Sequence, residues 1–136
     1  MSVWLLDTHT CIAVLRGHRR VVERLAEHDP IELQLCSVVR AELVYGARVS
    51  ARPGANLRAV ERFCEPFLSL PFDDGCARAY GRIRADLQAR GEMIGANDLM
   101  IAAIAVTHEL VLVTHNAREF ARIAELRLAD WEAEPP

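Results

Sequence analysis

The chain contains no lysine: all sixteen of its Lys/Arg positions are arginine. That absence excludes two chemistries. A P-loop needs a lysine on the nucleotide phosphates, and a Schiff-base enzyme needs a lysine amine. Glycine is sparse as well, with seven scattered residues and no cluster after an apolar run, so a glycine-rich phosphate cradle is missing too. The four cysteines, Cys11, Cys36, Cys64 and Cys76, include no C-x-x-C pair. Their spacing gives neither a zinc set nor a disulfide framework, and they read as small hydrophobes. The apolar run nearest the N-terminus is four residues long, far short of a membrane span or a signal-peptide core, which predicts a soluble cytoplasmic protein. With a net charge of −3, the molecule as a whole does not advertise nucleic-acid binding.

What is present reads as alternating strands and helices. Residues 1–136 are expected to form one domain with a core of its own, and 131–136 to fray as a tail. Val3–Leu6 reads as a strand, followed by two short helices broken near Gly17. Leu33–Cys36 reads as a second strand, with Ser37 as N-cap of the helix that carries Val39, Leu43 and Ala47. SARPGAN (50–56) reads as a loop, and Leu57, Val60 and Phe63 follow at helical spacing. Phe67–Leu70 is a third strand candidate, and Asp73 or Asp74 caps a helix running towards Gly91. From Asn97 to His108 the run LMIAAIAV is apolar on every face, as in a buried helix. Val111–Val113 is a fourth strand and LRLADW a possible fifth at the edge. The alternation predicts a three-layer α/β/α domain around a mostly parallel sheet of four or five strands.

In a parallel sheet the strand ends and the starts of the following helices collect on one edge, where ligands bind. Asp7 ends the first strand; Glu42 lies just over one turn into the Ser37 helix; Asp98 opens the buried helix; Glu119 follows Thr114 and Asn116 after the fourth strand. Each has a plainer reading. Asp7 can cap its helix by accepting from Thr10 or Cys11. Glu42 and Glu119 can be solvated acids, Asp98 can offset a helix N-terminus, and Thr114 and Asn116 can close a turn. Together they form a set whose crowded charges raise one another's pKa values until a divalent cation relieves them. Oxygen-only donors suit Mg²⁺ or Mn²⁺ rather than zinc. His9 and His115 share the edge but lack the nitrogen and sulfur companions of a zinc site, and read as substrate contacts or exposed residues.

These stretches resemble the PIN-domain ribonucleases, specifically the VapC-type toxins of bacterial toxin–antitoxin pairs. LLDTHTCI resembles the family's opening strand, SVVRAELVYGA its second motif, MIGANDLMIAAIA its third, and LVLVTHNAREFARI with LRLADW its closing block. The resemblance implies a PIN-like fold and metal-assisted hydrolysis of RNA phosphodiesters, leaving a 5′-phosphate and a 3′-hydroxyl. It implies Asp7 and Asp98 as the principal Mg²⁺ ligands, with Glu42 and Glu119 completing the catalytic acids and Thr8, Thr114 and Asn116 supporting them. Two positions depart from the family: His9 stands where asparagine is usual, and Asn116 where a fourth acid often falls, so that either Asn116 or, by resemblance to the branch with the N-x-x-E-F ending, Glu119 completes the set. The segment Pro71–Ala85 resembles enteric toxins that cut initiator tRNA in its anticodon loop. Arg82, Arg84, Arg90, Arg118 and Arg122 can hold RNA phosphates or stand as solvated helix faces. The family further implies a homodimer and a VapB-type antitoxin that lays a tail across the groove. Val44, Tyr45 and Val49 can meet that partner or belong to the core.

Three rivals are weaker. A haloacid-type phosphatase needs a second aspartate where His9 stands, and a receiver domain needs a lysine. A non-catalytic PIN-like module that binds RNA or protein without cutting would not be expected to retain Asp7, Glu42 and Asp98 together.

Overall fold

A computed structural model describes residues 3–134. The elements follow in the order β1 (Trp4–Leu6), α1 (Thr8–Leu15), α2 (Arg19–Ala26), β2 (Leu33–Cys36), α3 (Ser37–Arg48), α4 (Pro53–Cys64), β3 (Leu68–Leu70), α5 (Asp74–Ala89), α6 (Ala96–Thr107), β4 (Val111–Val113), α7 (Ala117–Phe120) and β5 (Arg127–Ala129). The five strands lie in the order β3-β2-β1-β4-β5, and every pairing is parallel. The fold is the expected three-layer α/β/α sandwich, with LRLADW supplying the fifth strand as an edge.

Burial explains the strand sequences. Parallel strands covered on both faces carry unbroken apolar runs, and Leu5, Leu6, Leu35, Leu112 and Val113 are fully buried. The edge strand β3 is less covered, and its Leu68 is exposed. Helix α6 runs through the core, with Leu99, Ile101, Ala102, Ala103, Ile104 and Ala105 all buried, as its all-round apolar pattern requires. Gly17, at φ +77°, lets the chain turn between α1 and α2. All four cysteines are free and buried, and burial pushes the Cys36 thiol up to about 11.

Three local expectations are corrected. Ser37 is the first helical residue rather than the cap; Cys36 takes the cap position and makes no side-chain cap bond. Residues 53–56 are not loop, because Pro53 opens α4 at a position where a missing N–H costs nothing. The frayed tail does not begin at 131. Trp131 is only 2% exposed and stacks on His28 with ring centroids 5.4 Å apart, while Arg20 Nη1 donates to the Glu132 carbonyl at 3.1 Å. Of the expected tail, residues 135–136 lie outside the described residues.

Candidate active site

Asp7 leaves the sheet where β1 ends, its N–H donating to the Val113 carbonyl of the neighbouring strand at 3.1 Å. One carboxylate oxygen, Oδ1, accepts from the Thr10 N–H at 2.8 Å and caps α1. The Thr10 hydroxyl in turn donates to the Val113 carbonyl at 3.1 Å, locking the turn to the sheet. Capping and site membership are therefore compatible, since the cap engages one oxygen. Asp7 is 3% exposed; burial pushes its pKa up, and Thr114, Thr10 and His9 oppose the shift. Thr114, itself buried, accepts from the Asn116 N–H at 3.0 Å, which ties the β4–α7 turn to Asp7.

Glu42 reaches the same edge from the second turn of α3. Thr8, the first residue of α1, donates its hydroxyl to Glu42 Oε1 at 2.5 Å, and Asn97 Nδ2 approaches Oε2 at 3.4 Å. Asp98 sits beside Asn97 in the first turn of α6, half-buried. Its pKa is raised, first by burial and then by the charges of Glu42, Glu119 and Asp7. Glu119 comes from the first turn of α7. Acids from three other parts of the fold thus act on one carboxylate. Asp7, Asp98 and Glu119 also lie at helix N-termini, whose partial positive charge favours anions.

Among the described residues, no arginine or histidine makes an ion pair with any of the four acids. No three of these acids bring ligand atoms within 4.8 Å of one another, as Asp73, Cys76 and His108, and His115, Asp130 and Glu132, do. Carboxylates without an ion-paired cation, Asp7 buried and the other three half-buried, suit a hydrated hard cation, which keeps several waters and takes only one or two protein carboxylates. The donor set therefore fits a divalent metal of that kind.

The arginines divide. Arg82 pairs with Glu125, Arg90 with Asp86 at 2.8 Å, and Arg122 donates to the Met93 carbonyl at 3.0 Å. Arg84 lies over the Tyr80 ring and donates to its hydroxyl at 2.9 Å. Arg118 is exposed beside Glu119, and among the described residues it enters no ion pair or side-chain hydrogen bond. Sequence reasoning missed Asn97, although it adjoins Asp98 in the third motif. Thr10 was named as a cap partner of Asp7, which it is, but its hydroxyl bond to the Val113 carbonyl was not foreseen. It missed Arg16 as well, an exposed residue just past α1. A cleft of about 620 Å³ beside the acids is lined by Arg16, His9 and Asn116 among others.

The sequence matches the PIN domain family over residues 4–126. It is 37% identical over 131 residues to a tRNA(fMet)-specific endonuclease VapC of Salmonella typhimurium, covering 96% of this chain and 99% of the relative. It is also 37% identical over 133 residues to ribonuclease VapC2 of Haemophilus influenzae, with the same coverage of 96% and 99%. The crystal structure of DNA-bound VapBC from Salmonella typhimurium superposes with a TM-score of 0.90 at 38% identity, over 96% of this chain and 99% of that one. The chain belongs to the PIN-domain nucleases and, within them, to the VapC ribonucleases. Nucleases of this family are metal-dependent.

Proposed function

We propose that the chain is a Mg²⁺-dependent endoribonuclease toxin, with Mn²⁺ able to substitute, acting on tRNA in the cytoplasm. The observation that carries the site reading is the convergence of Asp7, Glu42 and Glu119 on the half-buried Asp98, whose pKa is raised first by burial and then by their charges, with no ion-paired cation among the described residues. Asp7 and Asp98 are the metal ligands, with Glu42 and Glu119 completing the set. A divalent ion held there supplies Lewis-acid stabilisation of the phosphate and lowers the pKa of the attacking water.

The chain's own groups do the positioning. Thr8 and Asn97 hold the two oxygens of Glu42, and the Thr10 cap fixes the Asp7 carboxylate so that its second oxygen faces a constant geometry. Thr114 and Asn116 brace the turn that brings Glu119 in. Initiator tRNA is the substrate in keeping with the Salmonella relative, whose name gives tRNA(fMet). A VapB-type antitoxin and a homodimer mate are the expected partners, in keeping with the VapBC complexes among the structural neighbours. On α3, Tyr45 is 69% and Val49 65% exposed, so core burial does not account for them and a partner does; Val44 is partly buried against the core.

Purified protein is expected to cut total tRNA with Mg²⁺ or Mn²⁺ and not with chelator. Asp98→Asn should lose at least about a hundredfold, more than the loss of a mere supporting partner costs. Wild type and variant that bind RNA equally and cut nothing would turn the reading to a non-catalytic binding module. Cutting that survives in the variant would show that the site is misplaced.

A further inference from the structure

The cleft beside the acids has a composition that the metal set does not explain. Its apolar floor is Ile12 and Ala13 on α1, and its rim carries His9, Arg16, His115 and Asn116. At about 620 Å³ it is in the size range of small-molecule pockets, large enough for one nucleotide and too small for a duplex. None of the four acids lines it, but two of its lining residues tie it to their edge. His9 lies two residues beyond Asp7 and acts electrostatically on both Asp7 and Asp98. Asn116 is bonded through its N–H to Thr114.

The charges along the rim are arranged for an anion. The lining acid, Glu132, lies between two histidines, 3.7 Å from His18 and 3.7 Å from His115. His115 also meets Asp130 at 3.0 Å. Arg16 and His9, by contrast, have no ion-pair or side-chain hydrogen-bond partner among the described residues, and neither does the Asn116 amide, which makes no cap bond. An apolar floor, flat cationic or imidazole groups and an unengaged amide are what an unstacked base and its phosphate require. Single-stranded RNA is recognised by stacking on such planes and by hydrogen bonds to the exposed base edge.

We propose that this cleft is the specificity pocket for one unpaired nucleotide flanking the scissile phosphate. The base rests on Ile12 and Ala13, Asn116 reads its edge, and Arg16 takes the adjoining phosphate. The inference rests on the ribonuclease reading above, and it explains how an enzyme with a net charge of −3 selects a site within a folded RNA. Only a nucleotide free to leave its stack can enter.

The test uses the full chain and a set of anticodon-type stem-loop RNAs with each base placed in turn at the positions flanking the cut. Arg16→Ala should raise KM about tenfold with kcat nearly unchanged, and should lower the salt dependence of binding by about one phosphate contact. Asn116→Ala should flatten the preference at one flanking position by about tenfold, a readout that a purely structural role would leave alone. In parallel, the Asp98→Asn protein, alone and combined with Arg16→Ala, is titrated with a labelled single-stranded oligoribonucleotide. Loss of affinity in the combined variant supports the pocket even if no RNA is cut, in which case only the nuclease reading fails. Wild-type cleavage with unchanged KM and base preference in both single variants overturns the pocket and leaves the nuclease reading intact. Unchanged oligonucleotide affinity in the combined variant overturns it as well.

Discussion

Asp98 concentrates the electrostatics of the site in one residue. Burial and three neighbouring acids raise its pKa above the ordinary 3.8, and burial does the same to Asp7. An acid whose folded pKa is raised favours folding at pH below its unfolded value, and that contribution is lost as pH rises through the folded pKa. In chelator, then, the wild type should lose thermal stability as pH climbs from about 4 towards neutrality through this pair, and Asp98→Asn should flatten that fall. At pH 7 without metal the variant should melt higher than wild type; with Mg²⁺ the wild type should gain and the variant gain little. Melting curves across pH, with and without metal, check both signs, and a variant that melts lower than wild type in chelator at neutral pH would contradict the crowding. The four acids were legible in the sequence because each stands at a strand end or within the first turns of a helix, where parallel topology decides its place. Thr10 was legible as a cap partner of Asp7, but its hydroxyl bond to the Val113 carbonyl and the reach of Asn97 to the second Glu42 oxygen were not, because both depend on where those acceptors lie in space. The arginines were the least legible: long side chains choose tertiary partners, as Arg82 does with Glu125.

At the scale of elements, strands and helices followed from periodicity, and the misreadings fall at their ends. Pro53 next to Gly54 looks like a turn, yet the same proline is well placed to open a helix, and α4 uses it so. The polar residues after Trp131 look like a solvated tail, and no local pattern announces that the indole turns back onto the core. It packs against His28 and, at a centroid distance of 6.0 Å, against Trp4 of β1, the two partner rings lying 5.3 Å from each other. Trp131 therefore fastens the chain beyond β5 to the first strand and to the segment after α2. Trp131→Ala should cost about 3–5 kcal/mol, as large-to-small changes at buried aromatic positions do. Urea denaturation should show the midpoint falling with little change in the slope. A loss under about 1 kcal/mol would mean that the site collapses to fill the space and that the segment is held mainly by Arg20 and its contacts to Glu132 and Glu134.

Across the whole molecule, the fold gathers negative charge at the edge where a polyanion must arrive. The chain carries −3 overall, and Asp7 at the end of β1 with the acids of α3, α6 and α7 share one edge that holds no ion-paired cation among the described residues. Such a field repels RNA until a divalent ion is bound. On the proposed reading the metal serves docking as well as chemistry, and the two roles can be separated. In chelator at fixed ionic strength, Asp7→Asn combined with Asp98→Asn should bind a labelled stem-loop RNA several-fold more tightly than wild type, because two repelling charges are gone. On adding Mg²⁺ the wild type should close that gap while the double variant changes little beyond the general effect of the ion on RNA. Fluorescence anisotropy titrations measure both arms. Equal affinities in chelator would mean that RNA docks away from the acidic edge, on Arg118 and the cationic rim around Arg16, and that the acids meet the phosphate only after the complex has formed.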